Sequence, residues 1–452
     1  QTLGLIDGSF NGAINSTARQ PDGKLVVGGA FSTFTNTAGT VYNANGIARL
    51  NTNGTIDTDF SNNIGTSPSS GFNAAVQSIA TDAAGNIYVG GLFTSFRGTP
   101  NNANKLAKLK PTGEFDQAFS NNLDVVSGTK AATSGFDANI FSIALDSLGN
   151  LYVGGFITKF KGINNNAQGI AKLSTTGIFN QSFSDNMDVS PGIKASTSGL
   201  TRGASAAFVY ALVVDSQNNV YVGGNFENFK GIANNANKIA KFKANGDFDT
   251  VFSDNLDITP GTKLATSGFK TGTAIIVNAM AIDSSDNLYV VGRFTAFKTA
   301  TNNNANRIAK LSSSGVFNQA FSDSLDVSPG LKAANSGFTG GTQLSTIAID
   351  RNNNLIVGGN MTTFKGVANN ANGIAKLTST GGFVQSFSDN LDVTPSIKSA
   401  TTSGFVGGTN GVTNITTDTS NNIYAAGDYT SFKGASKQFY IKLLTTGLEP
   451  SN

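Results

Sequence analysis

Leu25-Val26-Val27-Gly28-Gly29, an apolar run closed by paired glycines, returns as Tyr88-Val89-Gly90-Gly91, Tyr152-Val153-Gly154-Gly155, Tyr221-Val222-Gly223-Gly224 and Ile356-Val357-Gly358-Gly359. Two degenerate copies, Tyr289-Val290-Val291-Gly292 and Tyr424-Ala425-Ala426-Gly427, bring the set to seven. The second glycines fall at 29, 91, 155, 224, 292, 359 and 427, between 62 and 69 residues apart. A period of this kind marks one supersecondary unit repeated along the chain.

Around each run the pattern predicts four short strands, A to D. In repeat 2, Ala75 to Thr81 alternates apolar and polar residues, Ile87 to Phe96 is β-branched and aromatic, and Lys105 to Lys110 alternates again. Glu114 to Phe119 reads as a short closing strand D. The A–B connection, Asp82-Ala83-Ala84-Gly85-Asn86, and the C–D turn at Thr112-Gly113 carry hairpin chemistry. Antiparallel strands in fours without helical periodicity predict an all-β, seven-bladed β-propeller of four-stranded antiparallel blades.

The ends suggest how such a ring closes. In six repeats a turn glycine precedes the strand-D Phe by six residues, as in Gly113 and Phe119, whereas the position six residues after Gly447 lies beyond the final residue. Gly4 and Phe10 carry the same offset before the first strand A. Residues 1–10 are therefore expected to supply the rim strand of the last blade, making residues 1–452 a single propeller domain. An outer-membrane barrel, the other home of short alternating strands, fits the four-strand period and the in-strand glycines poorly.

Gln20-Pro21-Asp22-Gly23-Lys24-Leu25-Val26-Val27-Gly28-Gly29-Ala30-Phe31, Gly46-Ile47-Ala48-Arg49-Leu50 and Gly54-Thr55-Ile56-Asp57-Thr58-Asp59-Phe60 resemble the bacterial tandem repeats called delta-60 repeats. The resemblance implies a propeller and brings no catalytic residues. Most copies here are longer than that family's pattern.

The excess falls in the B–C and D–A connections, which by strand parity share one face, while the A–B and C–D turns stay minimal. That face is the expected binding surface. Its B–C loops carry Asn101-Asn102-Ala103-Asn104, Asn165-Asn166-Ala167-Gln168, Asn234-Asn235-Ala236-Asn237, Asn303-Asn304-Ala305-Asn306 and Asn369-Asn370-Ala371-Asn372. These amides either fix the loop through backbone hydrogen bonds or form a ring of donors and acceptors for sugar hydroxyls. The D–A connections carry Asp185/Asp188, Asp254/Asp257, Asp323/Asp326 and Asp389/Asp392, each followed by a Lys. Spaced carboxylates are calcium candidates, but the recurring Lys suits an ion pair that pins the loop. Phe136, Leu200, Phe269, Phe338 and Phe405 are expected to plug those loops onto the core. The Gly-Gly pairs lie inside strands, so they are expected to make room for neighbours such as Phe93 and Phe226 rather than to cradle phosphate.

Composition narrows the function. The 452 residues include 31 Lys+Arg and 28 Asp+Glu, but no Cys, His or Trp. Disulfides, thiol nucleophiles and imidazole bases are thereby excluded. A net charge of +3 with 13% charged residues lacks the basic footprint of a nucleic-acid partner. The longest apolar stretch, around Ala204 to Val214, is too short to span a bilayer as a helix, so no membrane insertion is expected. The chain opens on Gln1 without a leader pattern, which fits a processed extracellular, cell-surface or virion protein. The expectation is a non-enzymatic binding, adhesion or structural assembly module, partnered by a glycan, a surface protein or other copies, with no cofactor unless calcium is bound. The alternative is a carbohydrate-active enzyme using a carboxylate pair, against which stands the scarcity of Glu: only Glu114, Glu227 and Glu449 occur. Off-pattern polar residues, Arg202, Arg293, Glu227 and Asp428, form no recognisable catalytic set in the sequence.

Overall fold

The computed structural model describes residues 6–65, 67, 70–270, 275–298, 305–436 and 440–450. The chain divides into two compact units, Ile6 to Asp249 and Thr250 onward. Both are built from antiparallel sheets of strands A, B and C, and seven such sheets stand among the described residues. Repeat 3 is representative, with Ile140–Leu145, Asn150–Gly155 and Ile170–Ser174 in that order. The sheets among the described residues are separate, of two or three strands each, and none closes on itself.

Strand B is buried along its whole length, as in Ile87–Gly91, because both faces are covered. Strand A is bulged near its start in every repeat; in repeat 3 the register shifts between Ile140 and Ser142. Strands A of successive repeats are tied within the first unit, where the Ile79, Ile143 and Leu212 N–H groups donate to Ser16, Ser78 and Ser142 Oγ at 3.0 Å.

The bulge explains the paired glycines. A Cβ on the second glycine would lie 2.0–2.4 Å from a strand-A carbonyl at all seven positions, for example Asn139 O opposite Gly155. Backbone cannot yield there, so glycine stands in every copy. A Cβ on the first glycine would instead meet side chains of the next repeat's strand A, such as Val209 Cγ1 at 2.5 Å from Gly154. Side chains can shift, and Val291 and Ala426 hold that position in the degenerate copies. The steric role is as expected, but the main partners are a carbonyl and aliphatic side chains; of the expected rings, Phe93 lies beside the second glycine of its repeat.

Strand D is a correction. Glu114 to Phe119 holds one isolated bridge, Leu109 to Phe115, and then a helix, Gln117–Leu123. Asp116 caps it by accepting from Phe119 N at 3.0 Å, and Phe119 and Leu123, four residues apart, bury one face. Helices follow likewise at Thr58–Ile64, Gln181–Asn186, Thr250–Asn255, Gln319–Ser324 and Gln385–Asn390. Each helix receives the C–D turn of the next repeat. The turn glycines Gly113, Gly177 and Gly246 lie on Phe60, Phe119 and Phe183, and Gly315, Gly381 and Gly447 lie on Phe252, Phe321 and Phe387. Asn63, Asn122 and Asn186 Nδ2 donate to the adjacent turn carbonyls of Thr112, Thr176 and Asn245, each at 2.9 Å. A cation completes the clasp: Lys172 Nζ reaches Ala244 O at 2.7 Å, and Lys376 Nζ reaches Thr445 O at 3.2 Å.

The N-terminal strand is a second correction. Ser9–Phe10 pairs with Thr33–Thr35 of its own repeat, Phe10 opposite Phe34. Phe72 opposite Phe96 and Phe136 opposite Phe160 repeat that pairing. Phe10 is thus the loop plug of repeat 1 and not a rim strand for the last repeat; residues 1–5 lie outside the described residues. The plugs are buried as expected, with Leu200, Phe269 and Phe338 fully covered. In pairing with the segment beyond strand B, they bring the D–A and B–C connections together as a small second sheet, for example Phe338–Thr339, Thr363–Phe364 and Val367–Ala368.

Candidate functional site

Most of the asparagines expected to meet sugar are spent on the loop itself. Asn102 accepts from Phe96 N at 2.8 Å and donates back to Phe96 O at 3.0 Å. Asn104 donates to Ser134 O at 2.9 Å, Asn372 to Ser403 O at 3.0 Å and Asn306 to Ser336 O. Asn166 and Asn370 each accept from a helix serine, Ser184 and Ser388, at 3.0 Å. Asn165 reaches Lys194 O at 2.8 Å, and Asn237 reaches Asn234 O at 3.0 Å. Asn235 is buried. Asn101, Asn165, Asn234 and Asn369 hold φ of 58–59°, the left-handed turn conformation that asparagine tolerates. For Asn102, Asn104, Asn165, Asn166, Asn237, Asn306, Asn370 and Asn372 this corrects the sugar-ring reading, since their amides are taken by hydrogen bonds within the fold. Asn303 and Asn304 lie outside the described residues.

The calcium candidates are corrected in the same way. Lys194 Nζ stands 2.8 Å from both Asp185 and Asp188 and 2.8 Å from Ser184 Oγ. Lys263 binds Asp254 and Asp257 at 2.6 and 3.1 Å, Lys332 binds Asp323 and Asp326 at 2.7 and 2.8 Å, and Lys398 binds Asp389 and Asp392 at 3.0 and 2.8 Å. An ammonium occupies the place a metal would take. The Lys194 and Lys332 hydrogen bonds hold the Asp185 and Asp323 carboxyls below the ordinary carboxylate value. Among the described residues no three acidic side chains gather in a way that could hold a metal ion.

The recurring Asp at the end of strand A is also structural. Asp283 Oδ1 accepts from Ser285 N and Asn287 N, each at 2.9 Å, and its Oδ2 accepts from the Tyr289 hydroxyl at 3.2 Å. Burial pushes the Asp283 carboxyl up, but these donors outweigh it and the group titrates below its ordinary value. Burial and then the Asp283 charge raise the Tyr289 hydroxyl far above its own.

What breaks the repeat lies at the loop-face end of strands A and B. The bulge residue of strand A is Asn15, Gln77, Asn278, Ser345 or Thr413 in five repeats, but Phe141 in repeat 3 and Tyr210 in repeat 4. The residue after the paired glycines is Phe156 in repeat 3, and Phe208 opens strand A of repeat 4, Phe208–Val214. These four form a continuous row: Phe141 to Tyr210 at 5.3 Å between centroids, Tyr210 to Phe208 at 6.1 Å and Phe208 to Phe156 at 4.4 Å. The last two contacts are stacked, with interplanar angles of 15° and 16°. Phe156 is 37% exposed and the other three rings are half-buried. A bulge re-aims the residue it carries, and here it presents rings at a solvent edge. Repeat 4 adds a hairpin just before the row, Leu200–Arg202 with Ser205–Ala206, and Arg202 is exposed near its turn. The sequence reading sought repeat-breaking residues among polar types only; comparing bulge positions across the seven copies would have exposed these rings.

In the second unit the bulge residues, Asn278, Ser345 and Thr413, and the residues past the second glycine, Arg293, Asn360 and Asp428, are polar. Arg293 Nε donates to Gln343 Oε1 at 2.6 Å, Gln343 Nε2 to Asn410 Oδ1 at 3.3 Å, and Asn410 N to Asp428 Oδ2 at 3.1 Å. Asn278 Nδ2 also reaches Gln343 Oε1, at 3.2 Å. Arg293 and Asp428 are thus joined through two amides. Glu227 pairs with Lys238 at 2.8 Å.

Residues 20–60 and 85–119 match the family model described as a β-propeller domain of unknown function (DUF5122), which supports a β-propeller repeat protein. Those stretches hold strands B and C and the start of the helix in repeats 1 and 2. Curated proteins give no match. Among solved structures, the extracellular domain of BT4673 from B. thetaiotaomicron is 12% identical with a TM-score of 0.43, covering 95% of this chain and 39% of its own. The WD40 β-propeller domain of Doa1 is 9% identical at 0.45, covering 94% and 93%. Virginiamycin B lyase from Staphylococcus aureus is 14% identical at 0.43, covering 94% of each chain. The chain spans about two fifths of the length of the BT4673 extracellular domain. Among the described residues no helix is long and apolar enough to cross a membrane.

Proposed function

We propose that this chain is a non-enzymatic extracellular binding module, its seven repeats the blades of one propeller domain over residues 1–452, and that it holds its ligand on the loop face at the row Phe141, Tyr210, Phe208 and Phe156. The observation that carries this is the row itself: rings at strand positions where the other repeats place polar or smaller residues, on a bulge, at a solvent edge. Ring faces of this kind suit the C–H surface of a sugar, so the partner is a glycan of a cell or envelope surface. An adhesive role follows from such binding, with other copies or surface proteins as the remaining partners. Catalysis has little to draw on, since the carboxylates that come close together are bridged by lysine in repeat after repeat. No cofactor is required by this reading.

The test is binding of the purified chain to a panel of glycans and bacterial envelope polysaccharides, with and without EDTA, beside Phe208→Ser. The expected result is binding that resists EDTA and falls at least about tenfold in the variant. Binding unaffected by Phe208→Ser, or absent across the panel, would refute the glycan reading of the row.

A further inference from the structure

A second feature breaks the repeat at a different place. Beside the lysine clasp of each D–A loop lies the two-residue turn of the next repeat, which presents another cation: Lys161 beside the repeat 2 loop and Lys230, Lys298, Lys365 and Lys433 beside the following four. These turn lysines hold φ of 50–55°, each one residue after a plug-facing Phe. From repeat 3 to repeat 6 the clasp holds two carboxylates and one lysine, and the Asp257 and Asp326 charges act on the turn lysines Lys298 and Lys365. In repeat 2 the first carboxylate is replaced by Asn121. Asp124 is met by Lys130 at 2.8 Å, and Lys161 is left in excess by one charge.

This position is a groove of about 480 Å³ lined by Asn121, Asp124, Lys161, Ile163, Phe179 and Gln181, among others. The Lys161 ammonium lies 5.7 Å from the Phe160 ring centroid and has no hydrogen-bond or ion-pair partner among the described residues. Burial draws its pKa down, while the Asp124 charge acts the other way. Asn121 Oδ1 accepts from Lys130 Nζ at 2.9 Å and Gln117 Nε2 at 2.8 Å, which assigns the oxygen and leaves Nδ2 as a donor. In repeat 3 the same place holds the second oxygen of Asp185, whose Oδ1 makes the matching contacts to Lys194 and Gln181. One substitution therefore removes a negative charge and turns an acceptor into a donor. Gln181 Nε2 is taken by Asn166 and Asp185, at 3.0 and 2.8 Å, so its Oε1 is left to accept a hydroxyl. Phe179, stacked on Phe160 at 4.4 Å, gives the groove an apolar wall.

We propose that the groove between the repeat 2 loop and repeat 3 binds an acidic sugar residue, its carboxylate held by Lys161 and Asn121 Nδ2, a hydroxyl by Gln181 and its C–H face by Phe179. The volume suits one or two sugar rings. This site is separate from the aromatic row and stands or falls without it.

The experiment is calorimetric titration of the full chain carrying Phe156→Asn, to silence the row, with a glucuronic acid disaccharide, its neutral glucose counterpart and a short glutamate peptide. The acidic disaccharide is expected to bind with a stoichiometry of one and at least about tenfold more tightly than the neutral one. Asn121→Asp, which only restores what repeats 3 to 6 carry, is expected to weaken it at least about tenfold at an unchanged melting temperature. Equal binding of the neutral sugar, tighter binding of the peptide, no binding of the acidic sugar, or indifference to Asn121→Asp would each overturn the proposal.

Discussion

Phe156 in repeat 3 and Arg293 in repeat 5 occupy one strand position, the first residue past the second glycine, and their surroundings differ completely. Around Phe156 the row of four rings leaves apolar surface exposed at the end of two bulged strands. Around Arg293 the donors and acceptors answer one another, through Gln343 and Asn410 to Asp428, so these four polar side chains are joined within the fold. The scaffold beneath is the same in both: a bulged strand A, a glycine facing its carbonyl and a fully buried strand B. An exposed ring row returns nothing to stability that a buried one would not return better, whereas a satisfied network needs no partner. The contrast separates what the repeat needs in order to fold from what one part of it carries for binding.

The largest effect is expected where the scaffolds coincide. Gly155→Ala and Gly292→Ala each place a Cβ about 2 Å from a backbone carbonyl, Asn139 O and Ile276 O. Each is expected to cost about 3 kcal/mol and lower the melting temperature by more than about 5 °C, equally in both units, by calorimetry. Gly154→Ala, which meets only side chains, is expected to cost about 1 kcal/mol. Unequal losses at Gly155 and Gly292 would mean that the two scaffolds differ as well as the rims.

A smaller effect sharpens the comparison by acid. The Asp185 and Asp323 carboxyls are held below their ordinary value by Lys194 and Lys332. A carboxyl depressed in the folded state stabilises fully above the unfolded value of about 4, and that contribution fades as the pH falls through the folded value. Hydrogen exchange in the D–A loops of repeats 3 and 5 is therefore expected to accelerate below about pH 4, more than in repeat 2, where Asn121 cannot titrate. The ring row, uncharged, is expected to keep its exchange pattern. Loosening of the row in step with the loops would break the separation.

Much of the scaffold could be read from the sequence because it repeats. The seven glycine-closed runs, strands A to C and the buried plugs all follow from pattern and period, as does the lysine bridging Asp185 and Asp188. Strand D was misread because Phe115 and Phe119 suit a strand, while the Asp116 cap and the Phe119 to Leu123 spacing, which decide for a helix, span only seven residues. The role of Phe10 was misread because a six-residue offset does not say which neighbour a Phe faces; its pairing with Phe34 does. The asparagine loops attracted a binding role by composition, but burial of Asn102 and Asn104 commits their amides to the backbone. The ring row escaped notice because Phe141 and Tyr210 look like ordinary strand residues until the bulge turns them outward.

The most direct test exchanges each rim for asparagine, the residue that repeats 4 and 6 carry at this position as Asn225 and Asn360. Binding isotherms for Phe156→Asn and Arg293→Asn would be measured against whichever surface glycan the unmodified chain retains. The account predicts that Phe156→Asn weakens binding at least about tenfold with its melting temperature within about 2 °C of the original, while Arg293→Asn leaves binding intact. Equal weakening by both, or loss confined to Arg293→Asn, would contradict it.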